Sequence, residues 1–175
     1  MKIKDIISLR VCDYYKEHGP AYSQIAHTMA VASLTRQIAL MQGRDEHEVD
    51  LLEMAAWLHD IGCPTAIDKY GDSKPVHQQT EGEYIVTEWL SSTDGNTDWN
   101  IVVSKLSEKE KQWLAKVVGC HHQQKYAIKL HFEPLFEADL IINIKEGYYG
   151  RSQSEHLYSA LMLSEAGRDM FRLFI

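Results

Sequence analysis

Histidines and aspartates recur at positions where helical periodicity demands burial, and that conflict limits the folds open to the chain. His27 precedes Ala30, Val31, Leu34 and Ile38 by 3, 4, 7 and 11 positions, spacings that gather all five side chains on one helix face. His59 follows Leu52, Ala55 and Ala56 by 7, 4 and 3 positions, with Asp60 beside it at the predicted helix end. Asp139 lies inside the apolar run Ala138-Asp139-Leu140-Ile141-Ile142. His121 follows Leu114 and Val117 by 7 and 4 positions. Taken singly, each has an ordinary explanation: a hydrogen-bonded core imidazole, an aspartate paired with a base, or His121-His122 facing a helix dipole. Taken together they require a common cause. One buried carboxylate without a partner is very costly. Two of them among several imidazoles are tolerable around a cation. Mixed imidazole and carboxylate ligation suits iron, manganese, zinc or nickel better than magnesium or calcium.

The rest of the chain reads as helix. Apolar periodicity predicts helices over 2–17, ending before Gly19-Pro20, and over 22–42, ending at Gly43. Asp45 with Glu48 forms a capping box for a helix to about Asp60, and Ser107 with Glu110 another for a helix to about His121. Residues 61–76 contain Gly62, Pro64, Gly71 and Pro75 and are expected as a loop. Helices are expected over 77–91, 133–146 and 153–173, with breaks near 147–150 and Gly167 and a loop over 91–96. No strand-like alternation persists and no internal repeat occurs. The reading is all-α: a single-domain helical bundle over 1–175, with a metal-binding core over about 20–146.

Composition excludes several classes. With 175 residues and 45% apolar content the chain can bury a sizeable core. Lysine plus arginine total 18 against 25 aspartate plus glutamate, a formal charge of −7. No nucleic-acid partner is expected, since duplex binding needs dense positive charge. Cys12, Cys63 and Cys120 are odd in number and far apart, which suits a reducing compartment. No apolar run reaches the roughly 18–20 residues of a membrane span. A cytoplasmic protein with no membrane partner is expected.

The ordered set His27, His59-Asp60 and Asp139 resembles the HD-domain superfamily of metal-dependent phosphohydrolases. Residues 26–32 (AHTMAVA) are similar to that family's first-histidine helix, 55–62 (AAWLHDIG) to its namesake motif and 137–141 (EADLI) to its last-aspartate helix. The ending 164–168 (SEAGR) is similar to small stand-alone bacterial members. The resemblance implies an all-helical core in which His27, His59, Asp60 and Asp139 hold one divalent transition metal. In two-metal branches Asp60 would bridge, and His77 and His121 would complete the second position. His77 stands five residues before Gly82 where relatives have four, so Gln78 occupies the matching position and Glu81 is an alternative donor. His122 is the alternative to His121. Cys63 stands where signalling relatives often carry a lysine.

The resemblance also implies hydrolysis of a phosphoester or phosphoanhydride by metal-activated water. Family frequency points to a nucleotide or dinucleoside polyphosphate. Asp60 and Lys74 are the catalytic candidates. Lys69 and Lys74 would meet phosphate, and Asp68 and Asp72 would act as general acid or orient water; solvated loop side chains are the ordinary alternative. Two other readings stay open: a di-iron oxygenase on the same scaffold, and a non-catalytic ligand-binding module with a metal staple. A homodimer would cover the apolar tail of Phe171, Leu173, Phe174 and Ile175.

Overall fold

Helix starts follow the capping chemistry. The structure, a computed structural model, describes residues 2–19, 21–93 and 95–175. In chain order its helices are α1 (Ile3–His18), α2 (Ala21–Met41), α3 (Glu46–Leu58), α4 (Cys63–Tyr70), α5 (Pro75–Ser91), α6 (Thr97–Lys105), α7 (Glu108–Val118), α8 (Gln124–Leu130), α9 (Glu133–Lys145), α10 (Arg151–Leu161) and α11 (Glu165–Phe174). The Asp45 carboxylate accepts from Glu48 N–H at 2.9 Å to open α3. Ser107 Oγ accepts from Glu110 N–H at 3.3 Å to open α7. Among the described residues there is no strand, so the fold is all-α. None of the helices is long and apolar enough to cross a membrane.

The expected loop over 61–76 is mostly helix. Pro64 stands in the first turn of α4, where its missing N–H leaves no bond unmade, and Gly71 closes that helix at φ 75°. Pro75 likewise opens α5. Residues read as breakers are thus start and stop signals of a short helix. The break expected at Gly167 falls instead at 162–164, and Ser164 Oγ accepts from Gly167 N–H at 2.9 Å to open α11. Helices α6 and α8 lie where no helix was expected; the Asn96 side chain caps α6 by accepting from Asp98 and Trp99 N–H. Two residues of the expected turns, Pro20 and Asp94, lie outside the described residues.

Helix α2 packs along both α3 and α9, and α1 packs on α2 and α3. Val31, Leu34 and Ile38 of α2, Val49 and Leu52 of α3, and Leu135 and Ile141 of α9 are buried in one continuous cluster. Helix α9 is enclosed: every residue from 134 to 142 is buried. Such a helix must be apolar all round unless its polar groups have dedicated partners. Helix α5 packs on α4 and α7, and α11 on α9 and α2. Phe171 joins the core, while Leu173, Phe174 and Ile175 stay exposed.

Candidate metal centre

The stripe residues converge. His27 comes from the middle of α2, His59 and Asp60 from the turn that ends α3, and Asp139 from the enclosed α9. His121 and His122 lie just past the end of α7. Two groups of three donors result, His27 with His59 and Asp139, and Asp60 with His121 and His122, each with its donor atoms within 4.8 Å of one another.

Asp60 stands between the groups. Its Oδ2 lies 3.6 Å from His27 Nε2 and 3.4 Å from His59 Nε2, while Oδ1 lies 3.4 Å from His121 Nε2. Asp139 Oδ1 is 3.4 Å from His27 Nε2 and 3.6 Å from His59 Nε2; its Oδ2 is 3.6 Å from His122 Nδ1. Most of these separations are long for hydrogen bonds. They match the donor–donor edges of about 3.4 Å that follow from tetrahedral metal bonds of about 2.1 Å.

The surrounding groups aim the lone pairs inward. His59 Nδ1 donates to the Ala56 carbonyl at 2.7 Å and His121 Nδ1 to the Val118 carbonyl at 2.8 Å. Glu146 Oε2 accepts from His27 Nδ1 at 3.0 Å. With Nδ1–H engaged in this way, the nitrogen that His27, His59 and His121 turn to the cluster is Nε2, and a metal bound there displaces any proton it holds. His27 and His59 Nε2 face each other at 3.3 Å, a spacing that a shared cation reconciles. Asn143 Nδ2 donates to Asp139 Oδ1 at 2.8 Å. Asp60 Oδ1 and His121 Nε2 are buried with no hydrogen-bond partner among the described residues. Orphaned polar atoms of this kind are costly in a native interior, and a bound cation accounts for both. The donor set therefore fits a divalent transition metal.

The electrostatics agree. Burial opposes charge on Asp60, yet His59 and His121 hold its carboxyl well below the usual range. Burial opposes charge on Asp139 too, and the His27 and His59 rings close to its Oδ1 hold it far down. Burial disfavours charge on His59, but Asp60 and Asp139 raise it well above an ordinary imidazole. Burial and the adjacent His121 push His122 down to about 4. Both carboxylates stay ionised and draw positive charge into the cluster.

Not every candidate reaches it. His77 Nδ1 lies 2.6 Å from Asp72 Oδ1, and its ring stacks on Tyr70. Glu81 accepts from Lys69 and from the Tyr70 hydroxyl. Gln78 turns inward instead: it accepts from the Cys63 thiol and donates to His122 Nε2. The cause is the seating of α5. A Cβ on Gly62 would stand 2.1 Å from the Gln78 carbonyl oxygen and 2.4 Å from Gly82 N. The backbones therefore touch where Gln78 and Gly82, one turn apart, face the turn carrying Asp60. His77 is about 100° away from that face. Lys74 is exposed with Nζ 2.7 Å from Asp72, and Lys69 Nζ is 2.6 Å from Glu81. Neither loop lysine is among the residues lining the cavity described next.

A cavity of about 470 Å³ opens beside the cluster. His27, Asp60, Cys63, Gln78 and His122 line it, with Gln24, Asn143, Glu146, Tyr148 and Tyr149. A larger, more open hollow of about 710 Å³ lies between α10 and α11 and has none of the donor-cluster residues in its lining. Sequence reading overlooked Asn143 and Glu146. Both were within its reach, because they follow Asp139 by four and seven positions on one helix face.

Comparison of the chain with curated proteins and with solved structures finds no match. The family model of the HD domain matches residues 25–157, well over half of the chain. That span contains each donor described above, from His27 to Asp139. HD domains bind divalent metals and define a superfamily of metal-dependent phosphohydrolases. On its helical fold, its converging histidines and aspartates, and this match, the chain belongs to the HD-domain family.

Proposed function

We propose that the chain is a metal-dependent phosphohydrolase acting on a small phosphoester. The observation that carries this reading is Asp60, whose Oδ2 faces His27 and His59 and whose Oδ1 faces His121, beside an open cavity. His27, His59, Asp60 and Asp139 would hold one ion, and Asp60, His121 and His122 would offer a second position. When bound, such an ion supplies Lewis acidity, polarising a phosphoryl oxygen and making water nucleophilic near neutral pH. The chain's residues do the rest. Glu146, Ala56 and Val118 keep three imidazoles in the donor tautomer. Asn143 fixes Asp139. The cavity gives a small ester access to the cluster, which a purely structural metal staple would not need.

The test is phosphate release by the full chain loaded with Mn²⁺, Fe²⁺, Ni²⁺ or Zn²⁺, over a panel of phosphomonoesters and nucleotides. Metal-dependent release that disappears in Asp60→Ala supports the reading. Absence of release from every ester, with dioxygen consumed by the iron-loaded chain, would replace it with oxygenase chemistry on the same donors.

A further inference from the structure

The cavity beside the cluster is charged in a way that selects its ligand. Two carboxylates line it, Asp60 and Glu146, and among the described lining residues there is no lysine or arginine. Asp60 faces the donor triads. Glu146 accepts from His27 through Oε2 yet keeps 35% of its side chain exposed. Lys74 stands between the lining residues Ser73 and Pro75, but its ammonium is paired with Asp72. Past α9, Gly147 adopts φ 88° and Tyr148 N–H reaches the Asn143 carbonyl at 3.0 Å. That turn brings Tyr148 and Tyr149 to the cavity next to Glu146.

A phosphomonoester adds about 1.5–2 negative charges near neutral pH. With one divalent ion held by His27, His59, Asp60 and Asp139, the two aspartates already match its charge. The phosphate and the Glu146 carboxylate would then share one small cavity, and a polyphosphate would add further negative charge.

Resting on the phosphohydrolase reading, we propose that the substrate supplies the missing charge itself. It is a phosphomonoester whose organic part carries a cationic nitrogen, held between Glu146 and the rings of Tyr148 and Tyr149, with the phosphate at the donor cluster. A carboxylate attracts such a cation by charge, and tyrosine faces attract it through their quadrupole. The reaction is simple hydrolysis. Water oxygen bonds to phosphorus, the ester P–O bond breaks with its electron pair on the departing alkoxide, and a proton from water goes to that oxygen.

The experiment compares phosphocholine with 3,3-dimethylbutyl phosphate, its isostere with an uncharged tail, on the full chain loaded with Mn²⁺. Phosphate release gives kcat/KM and calorimetry gives Kd for both esters. Phosphocholine should be preferred by about tenfold or more in each readout. Glu146→Gln should bring the two esters near parity, because the amide oxygen still accepts from His27 Nδ1 while the charge is gone. Equal values for the two esters in the unaltered chain overturn the proposal and leave the phosphohydrolase reading intact. So does a preference that survives Glu146→Gln, or a higher kcat/KM for a nucleoside triphosphate than for phosphocholine. If no phosphomonoester is hydrolysed, the phosphohydrolase reading fails and calorimetry decides the cation site alone. Phosphocholine-selective binding lost in Glu146→Gln upholds the site; equal binding, or none, ends it.

Discussion

Asp60 and Asp139 are held in place by different means, and substitutions separate them. Asp60 follows His59 directly on the turn that ends α3, and its carboxylate lies among His27, His59 and His121. Replacing it with alanine removes the anion that joins the two donor groups, and Asp60→Ala should lose metal retention and turnover together. Asp139 depends on a side chain, the Asn143 amide 2.8 Å away. Asn143→Ala leaves the carboxylate unheld, and metal affinity should fall about 10–100-fold in a chelator competition while the helical circular dichroism is kept. His47 is the matching control: its side chain is 73% exposed and paired with Glu110 across the surface. His47→Ala should leave metal content unchanged and shift stability by no more than about 0.5 kcal/mol.

Helix α5 shows how an element decides which residue enters the site. Its contact with the turn at Gly62 leaves no room for a side chain. Gly62→Ala should cost about 1–3 kcal/mol in denaturant unfolding, as an overpacked contact does, and should also weaken metal binding because Asp60 and Gln78 flank that contact. The stripes of α2 and α3 were legible in the sequence because their apolar spacing is regular, and they put His27 and His59 on inward faces. The continuous apolar run around Asp139 likewise marked α9 as buried. The mismatch at His77 was legible in part, since its distance from Gly82 put Gln78 in the matching position, but spacing gives the angle around α5 and not which side of it meets Gly62. His121 and His122 were judged as alternatives about 100° apart on one helix. The chain leaves helical geometry after Val118, and both rings turn to the acids. The helix α4 was hidden for a related reason: its glycines and prolines mark its two ends, and read without that context they suggest a loop.

At the scale of the whole molecule, the C-terminal helix is tied to the metal-bearing core by one buried acid. Glu137 accepts from Leu163 N–H at 2.7 Å, Ser164 N–H at 2.6 Å and Ser164 Oγ at 2.7 Å. Gly167 leaves space for that carboxylate, since a Cβ there would lie 2.3 Å from Glu137 Cδ. Glu137→Ala strands those donors and should lower unfolding free energy by about 1–3 kcal/mol. Metal bound to the folded chain alone should raise its melting temperature with free-ion concentration, equivalent to about 2.7 kcal/mol at one hundred times Kd. The most direct measurement is elemental analysis of the folded chain, after incubation with Mn²⁺, Fe²⁺, Ni²⁺ and Zn²⁺ and removal of loose ions. Retention of at least one transition-metal ion per chain, lost in Asp60→Ala, is the predicted result. A folded chain that retains none of the four would contradict the convergence of these histidines and aspartates on a metal.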